Sequence, residues 1–208
     1  LADRGMVTRN DIFETFWPKL NKSEATNVFH VTKRKITDII GESFTKFGGG
    51  FYRIAPQIEF HYDVINFSTY VQKGLIASGE ESIQLLEDAV AFYHSPFLNS
   101  EEDQGIPWIE KRRDEISEMF AESLFTLANH KFTQGDEDDA LGYYLRALKI
   151  LYYREEIAEK VMLIYKGKKQ YTDALELYDW VKTNLKEHFD IEPGQSLQEL
   201  AQSIQDLL

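Results

Sequence analysis

The sequence holds no cysteine. Disulfides, thiolate zinc sites and iron–sulfur clusters are therefore excluded, which fits a reducing compartment. No apolar run approaches the ~18 residues of a membrane span, so no membrane contact is expected. No signal peptide is visible, and the chain opens at Leu1 without Met, so it reads as a piece of a larger protein or a trimmed chain. Catalytic and metal-binding patterns are equally scarce. The histidines are His30, His61, His94, His130 and His188, and none pair at the i, i+3 or i, i+4 spacing of a helical metal site. Asp136-Glu137-Asp138-Asp139 suggests a calcium loop but lacks its central glycine and closing glutamate. These acids suit the positive end of a helix instead. Gly48-Gly49-Gly50 is not followed by a Lys-Ser/Thr pair or a helix, which argues against a phosphate-binding loop. With no nucleophile–base set, the expectation is a non-enzyme without cofactor or metal.

An excess of basic charge is also missing. The net charge is −12 and unevenly spread. Residues 1–62 carry nine Lys/Arg against seven Asp/Glu, whereas residues 63–208 carry fourteen against twenty-eight. The second part repels nucleic acid and anionic membranes, so any phosphate contact must come from the first sixty residues.

What is present is a repeat. Ala140, Leu141 and Tyr144 recur 34 residues later as Ala174, Leu175 and Tyr178. That is the length of a tetratricopeptide helix-turn-helix unit. Ala140, Tyr144, Ala147, Leu148 and Leu151 follow one helix face, and Ala174, Tyr178, Val181 and Leu185 follow it one unit on. Ala128 supplies the small residue expected on the first helix of the earlier unit. Gly135 and Gly167 stand where helix-ending glycines are expected. A non-repeating helical bundle is the plainer alternative.

Thr8, with Asp11 three residues on, predicts the start of a short helix with Ile12, Phe13, Phe16 and Trp17 on its apolar face, ended by Pro18. Residues 22–40 predict a second helix, with Ser23 as N-cap and Gly41 as stop. Its core stripe is expected to be Ala25, Val28, Phe29, Thr32, Ile36, Ile39 and Ile40. Asn27, His30, Val31, Arg34, Thr37 and Asp38 fall opposite, flanked by Lys33 and Lys35. Ser43–Phe47 and Phe51–Ile54 read as two strands around the triple glycine. Two helices followed by a hairpin form the back half of a winged helix, whose second helix enters the major groove. Asn27 suits adenine, Arg34 suits guanine, and Val31 suits a thymine methyl. Lys33, Lys35, Lys46 and Arg53 suit phosphates, and His30 suits a base or a phosphate. The plainer reading is a solvated amphipathic helix with ordinary surface charges.

From Asp63 the pattern is helical. Val64–Ala77 pairs with Glu80–Tyr93, Trp108–Phe132 with Asp136–Leu151, and Arg154–Tyr165 with Tyr171–Leu185. Ser196–Leu207 follows Pro193-Gly194 as a capping helix. A loop at residues 94–107 interrupts the series.

Five segments in order now resemble the bacterial transcriptional activator domain of the SARP family of antibiotic-pathway regulators. FYRI at 51–54, followed by Asp63, Val64 and Phe67, is similar to its wing-to-helix junction. FYHSPFL at 92–98, WIEKRR at 108–113, REEIAEKVM at 154–162 and LKEHFDIEPGQSLQEL at 185–200 are similar to its later signatures. The resemblance implies a mainly α chain: a partial OmpR-type winged helix at 1–62, then a tetratricopeptide-like repeat at 63–208, with three helix pairs and a capping helix. The implied function is cytoplasmic bacterial transcription regulation. The implied partners are double-stranded DNA, RNA polymerase or a regulatory domain of the same chain, and a second copy as homodimer. The chain departs from the family where Lys35, Thr37 and Asp38 replace an arginine run, and in its glycine-rich wing. The alternative is a protein-interaction module with no DNA binding of its own.

Overall fold

The computed structural model describes residues 1–100 and 105–208 and divides into two compact units, Leu1–Ile65 and Asn66–Leu208. Of the expected loop at 94–107, residues 101–104 lie outside the described residues.

The first unit runs β1 (Met6–Thr8), α1 (Arg9–Phe16), α2 (Lys22–Ile40), β2 (Thr45–Gly48) and β3 (Phe51–Ile54). The strands form an antiparallel sheet in the order β1-β3-β2. β1 was not foreseen, because three residues are too few for a periodic pattern. Thr8 caps α1 as expected: its hydroxyl accepts from the Asp11 amide, and the Thr8 amide donates to the Asp11 carboxylate at 2.7 Å. That donated backbone hydrogen bond holds the Asp11 carboxyl below its ordinary range.

The cap of α2 is Asn21, not Ser23. Asn21 accepts from the Ser23 and Glu24 amides at 3.0 and 3.1 Å, and Glu24 accepts from the Asn21 amide at 3.1 Å. Ser23 has Thr26 at its third position onward and so lacks the acid that completes a reciprocal box. Gly41 ends α2 in the left-handed conformation, its amide bonded to the Thr37 carbonyl. The first strand of the hairpin is Thr45–Gly48 rather than Ser43–Phe47. Gly49 and Gly50, at φ 61° and 85°, form its two-residue turn, a backbone that side chains other than glycine or asparagine resist.

The core of this unit is Val7, Phe13, Ala25, Phe29 and Tyr52, with Leu1, Ile12 and Trp17 packed against it. Phe29 meets Phe13 edge-on at 6.0 Å and Tyr52 at 5.1 Å. The expected stripe of α2 holds only in part. Ala25 and Phe29 are buried, and Thr32 and Ile36 are half-buried, but Val28, Ile39 and Ile40 are exposed, Ile39 at 84%. For Ile39 and Ile40 the reason is length. At 1.5 Å per residue α2 extends about 28 Å, while α1 and the strands are far shorter and cover one end of it. Phe16 on α1 is also exposed, its ring 6.2 Å from that of Trp17.

The second unit begins within α3 (Asp63–Ile76) and continues through α4 (Gly79–Phe92), α5 (Pro107–Thr133), α6 (Glu137–Leu148), α7 (Glu155–Gly167), α8 (Tyr171–Phe189) and α9 (Gln195–Gln205). α5 packs on α4 and α6, α6 on α7, and α7 on α8. α9 closes the stack against α7 and α8. α3 and α4 meet where Gly74 faces Leu86: a Cβ at position 74 would stand 2.7 Å from the Leu86 side chain, and Ser82 donates to the Gly74 carbonyl at 2.7 Å. The repeat positions Ala140 and Ala174 are fully buried, as are Ala128 and Tyr144. The Tyr144 hydroxyl donates to the Asn129 side-chain carbonyl at 2.7 Å, and burial pushes its pKa up. Gly135 takes φ 84° between α5 and α6 as expected. Gly167 does not play that part. It ends α7 within the helix, and Lys169 takes the left-handed conformation at φ 59° instead.

Two sequence signatures prove to be clasps. Arg113 of WIEKRR donates to the carbonyls of Phe97, at 2.8 Å, and Leu98, so it fastens the FYHSPFL segment to α5. Glu155 of REEIAEKVM accepts from the Gly194 amide at 2.6 Å, fixing the turn that precedes α9. Acids at 136–139 sit at the start of α6, where Asp138 meets Lys168 and Asp139 meets Lys131.

Candidate nucleic-acid interface

α2 places the sequence-selected residues as the wheel predicts. Asn27, His30, Val31 and Arg34 are all exposed on the side away from Ala25 and Phe29, and Asp38 lies in the same row. Lys35 is exposed at the edge of that row, and Thr37 is half-buried, its carbonyl occupied by Gly41. The His30 ring lies 5.5 Å from the Phe29 ring, edge-on. Val31, at 55% exposure, is an apolar group held in water on an otherwise polar face.

Lys33 is set differently from its neighbours. It is half-buried, and its ammonium lies 5.5 Å from the centre of the Tyr52 ring. That contact ties α2 to β3 and fixes where the charge emerges. Tyr52, which sequence reading did not single out, is thus the joint of the unit. It packs against Phe29, carries Lys33, and accepts a 3.5 Å hydrogen bond from Arg9. The signal for it was the alternation of Phe51-Tyr52-Arg53-Ile54, which sends Tyr52 inward.

Lys46 and Arg53 face one another across the hairpin, opposite partners in the β2–β3 register. Both are exposed on the face away from Tyr52. Arg53 reaches the Met6 sulfur at 3.9 Å. Like charges directly opposite one another weaken a sheet pair, so this pair is costly unless an anion lies between or beside them. Among the described residues, none of Lys33, Arg34, Lys35, Lys46 and Arg53 makes an ion pair with a carboxylate. The structure therefore brings the α2 residues together on one face. Lys46 and Arg53 lie on a separate element, the hairpin, which Tyr52 joins to α2.

No group of three or more metal-ligating side chains gathers among the described residues, and no described helix is long and apolar enough to cross a membrane.

Comparison with known proteins follows the same division. A search of curated proteins returns no match. A solved structure of Mycobacterium tuberculosis EmbR in complex with a low-affinity phosphopeptide superposes with a TM-score of 0.67 at 18% identity. The match covers 97% of this chain and 55% of that one, so this chain spans about half the length of EmbR. The likeness extends through both units and is one of fold. The model of the bacterial transcriptional activator domain matches residues 62–205, the whole helical stack from its first helix to its last. The chain belongs to the bacterial transcriptional activator domain family, of the SARP type.

Proposed function

We propose that the chain is the DNA-reading and partner-binding part of a bacterial transcription regulator. Residues 1–62 form the DNA-binding portion and residues 63–208 the activator domain. α2 lies in the major groove, with Asn27, His30, Val31, Arg34 and Thr37 toward base edges. Lys33, Lys35, Lys46 and Arg53 hold phosphates of double-stranded DNA. The observation that carries this reading is the set of uncompensated cations on α2 and the hairpin, in a chain whose net charge is −12. A cation without a carboxylate partner breaks no ion pair when it takes a phosphate.

The test is selection of bound fragments from a random DNA pool, followed by affinity against salt. Four phosphates neutralised per chain give a slope of about −0.9 times four on the double-logarithmic plot. A flat response removes DNA from the reading.

The acidic helical stack would bind RNA polymerase, a regulatory domain of the same chain, or a second copy. A second reading, an interaction module without DNA binding, draws support from that acidity, which favours a basic partner. Absence of enrichment together with capture of a basic domain would favour it.

A further inference from the structure

We propose that Phe47 is a wedge that partly unstacks one DNA base step beside the site read by α2, so that the hairpin selects DNA by deformability. This rests on the DNA-binding reading above.

Three features of the hairpin and one of α2 lead here. Its turn is Gly49-Gly50, preceded by Gly48, so no side chain extends beyond the two flanking rings, Phe47 and Phe51. Phe47 is 53% exposed. An isolated exposed phenyl is ordinary on a protein surface, but this one is braced. Its ring lies 4.7 Å from the Tyr52 ring, which is 4% exposed and lies 5.1 Å from buried Phe29 of α2. Three rings thus run from the buried face of α2 out to solvent. A ring that separates bases must press against something that does not yield, and Tyr52 seated on Phe29 supplies it.

The fourth feature is Lys33. Its ammonium shares the Tyr52 ring with Phe47. Ammonium and phenyl therefore lie within about 10 Å of each other, roughly three base steps along a strand. A phosphate held by Lys33 brings the Phe47 ring to the same stretch of duplex. Apolar side chains that enter the minor groove in this way unstack a step and bend the axis, most readily at pyrimidine–purine steps. Phe51 lies on the other face of the ribbon, opposite Gly48, and is not backed by Tyr52. It serves as the control.

The experiment uses the full chain and the duplex recovered from the random pool. 2-Aminopurine replaces adenine at each pyrimidine–purine step in turn, and dyes at the two ends report bending. The expected result is a rise in 2-aminopurine emission at one step, with the ends drawn together. Phe47→Ala abolishes both signals and weakens binding about tenfold, with the salt slope unchanged. Phe47→Gln, which keeps methylenes over Tyr52, behaves the same way and separates the effect from folding, checked by thermal melting. Phe47→Trp restores both signals, and Phe51→Ala leaves them intact. Binding without unstacking at any step, or unstacking that survives Phe47→Gln, overturns the wedge and leaves the DNA reading standing. If no duplex is enriched, both fall.

Discussion

The two units treat positive charge in opposite ways. In the helical stack several cations are held by carboxylates of the same unit: Arg154 lies between Glu122 and Glu156, Lys168 meets Asp138, Lys182 meets Glu192, and Lys186 meets Asp190 at 2.6 Å. Among the described residues, Lys33, Arg34, Lys35, Lys46 and Arg53 on α2 and the hairpin have no such carboxylates. Net charge hides this difference. The first 62 residues have only two more cations than anions, yet among the described residues five of those cations, on α2 and the hairpin, make no ion pair with a carboxylate. The partner of a charge, rather than its count, decides whether it is available to a ligand.

That contrast can be broken first at Arg34. Arg34→Ala is expected to cost about 1–3 kcal/mol of affinity for the selected duplex and to relax preference at one base position, read by binding titrations against single-base variants. Its thermal melting should not change, because no carboxylate is left behind. Uniform loss across all sequences would reassign Arg34 to the backbone. Within the stack, Tyr144→Phe removes the hydrogen bond to half-buried Asn129 and should cost about 1–2 kcal/mol in denaturant unfolding, with DNA affinity untouched. Arg154→Ala is the mirror of Arg34→Ala. Its side chain is 24% accessible and its partners are partly solvated, so the loss should be about 1 kcal/mol of stability and none of DNA binding. Lys46→Ala should weaken all duplexes alike and make the salt slope shallower by about 0.9. The smallest effect concerns the Thr8–Asp11 cap. The Asp11 carboxyl titrates below its ordinary value of 3.8 in the folded chain, so its contribution is complete above that value and is lost as pH falls through the folded pKa. Asp11→Asn should flatten the acid limb of the melting temperature against pH.

Much of this architecture was legible in the sequence, and the exceptions share a cause. The 34-residue shift gave the α6 and α8 faces, because Ala140 and Ala174 are small for a packing reason that repeats. The hairpin followed from alternation around glycines, and the α1 cap from a reciprocal pair three residues apart. These are local rules. Ile39 and Ile40 misled because helical periodicity names an apolar face without saying whether anything covers it. Gly167 misled because the left-handed residue sits two positions on, at Lys169, where the chain must turn into α8. For the candidate interface, the outer row of α2 was readable from the wheel. The role of Tyr52 was not, since it depends on Phe29 and Lys33 arriving from a helix more than eighteen residues earlier in the chain. The pairing of Arg154 with Glu122, and of Lys168 with Asp138, joins residues more than two dozen positions apart and leaves no mark in either neighbourhood.

The Glu155–Gly194 clasp has a consequence for the order in which the protein is made. Glu155 leaves the ribosome 39 residues ahead of the amide it binds. Until α9 follows, the side of α7 that it covers stays wet, including the place where Lys166 meets Ser203 at 2.9 Å. Synthesis proceeds from the N-terminus, and domains fold as they emerge. The last eleven-residue helix is then the step that completes the stack, and a nascent chain stopped before Gly194 presents an open end to the chaperones and proteases around it.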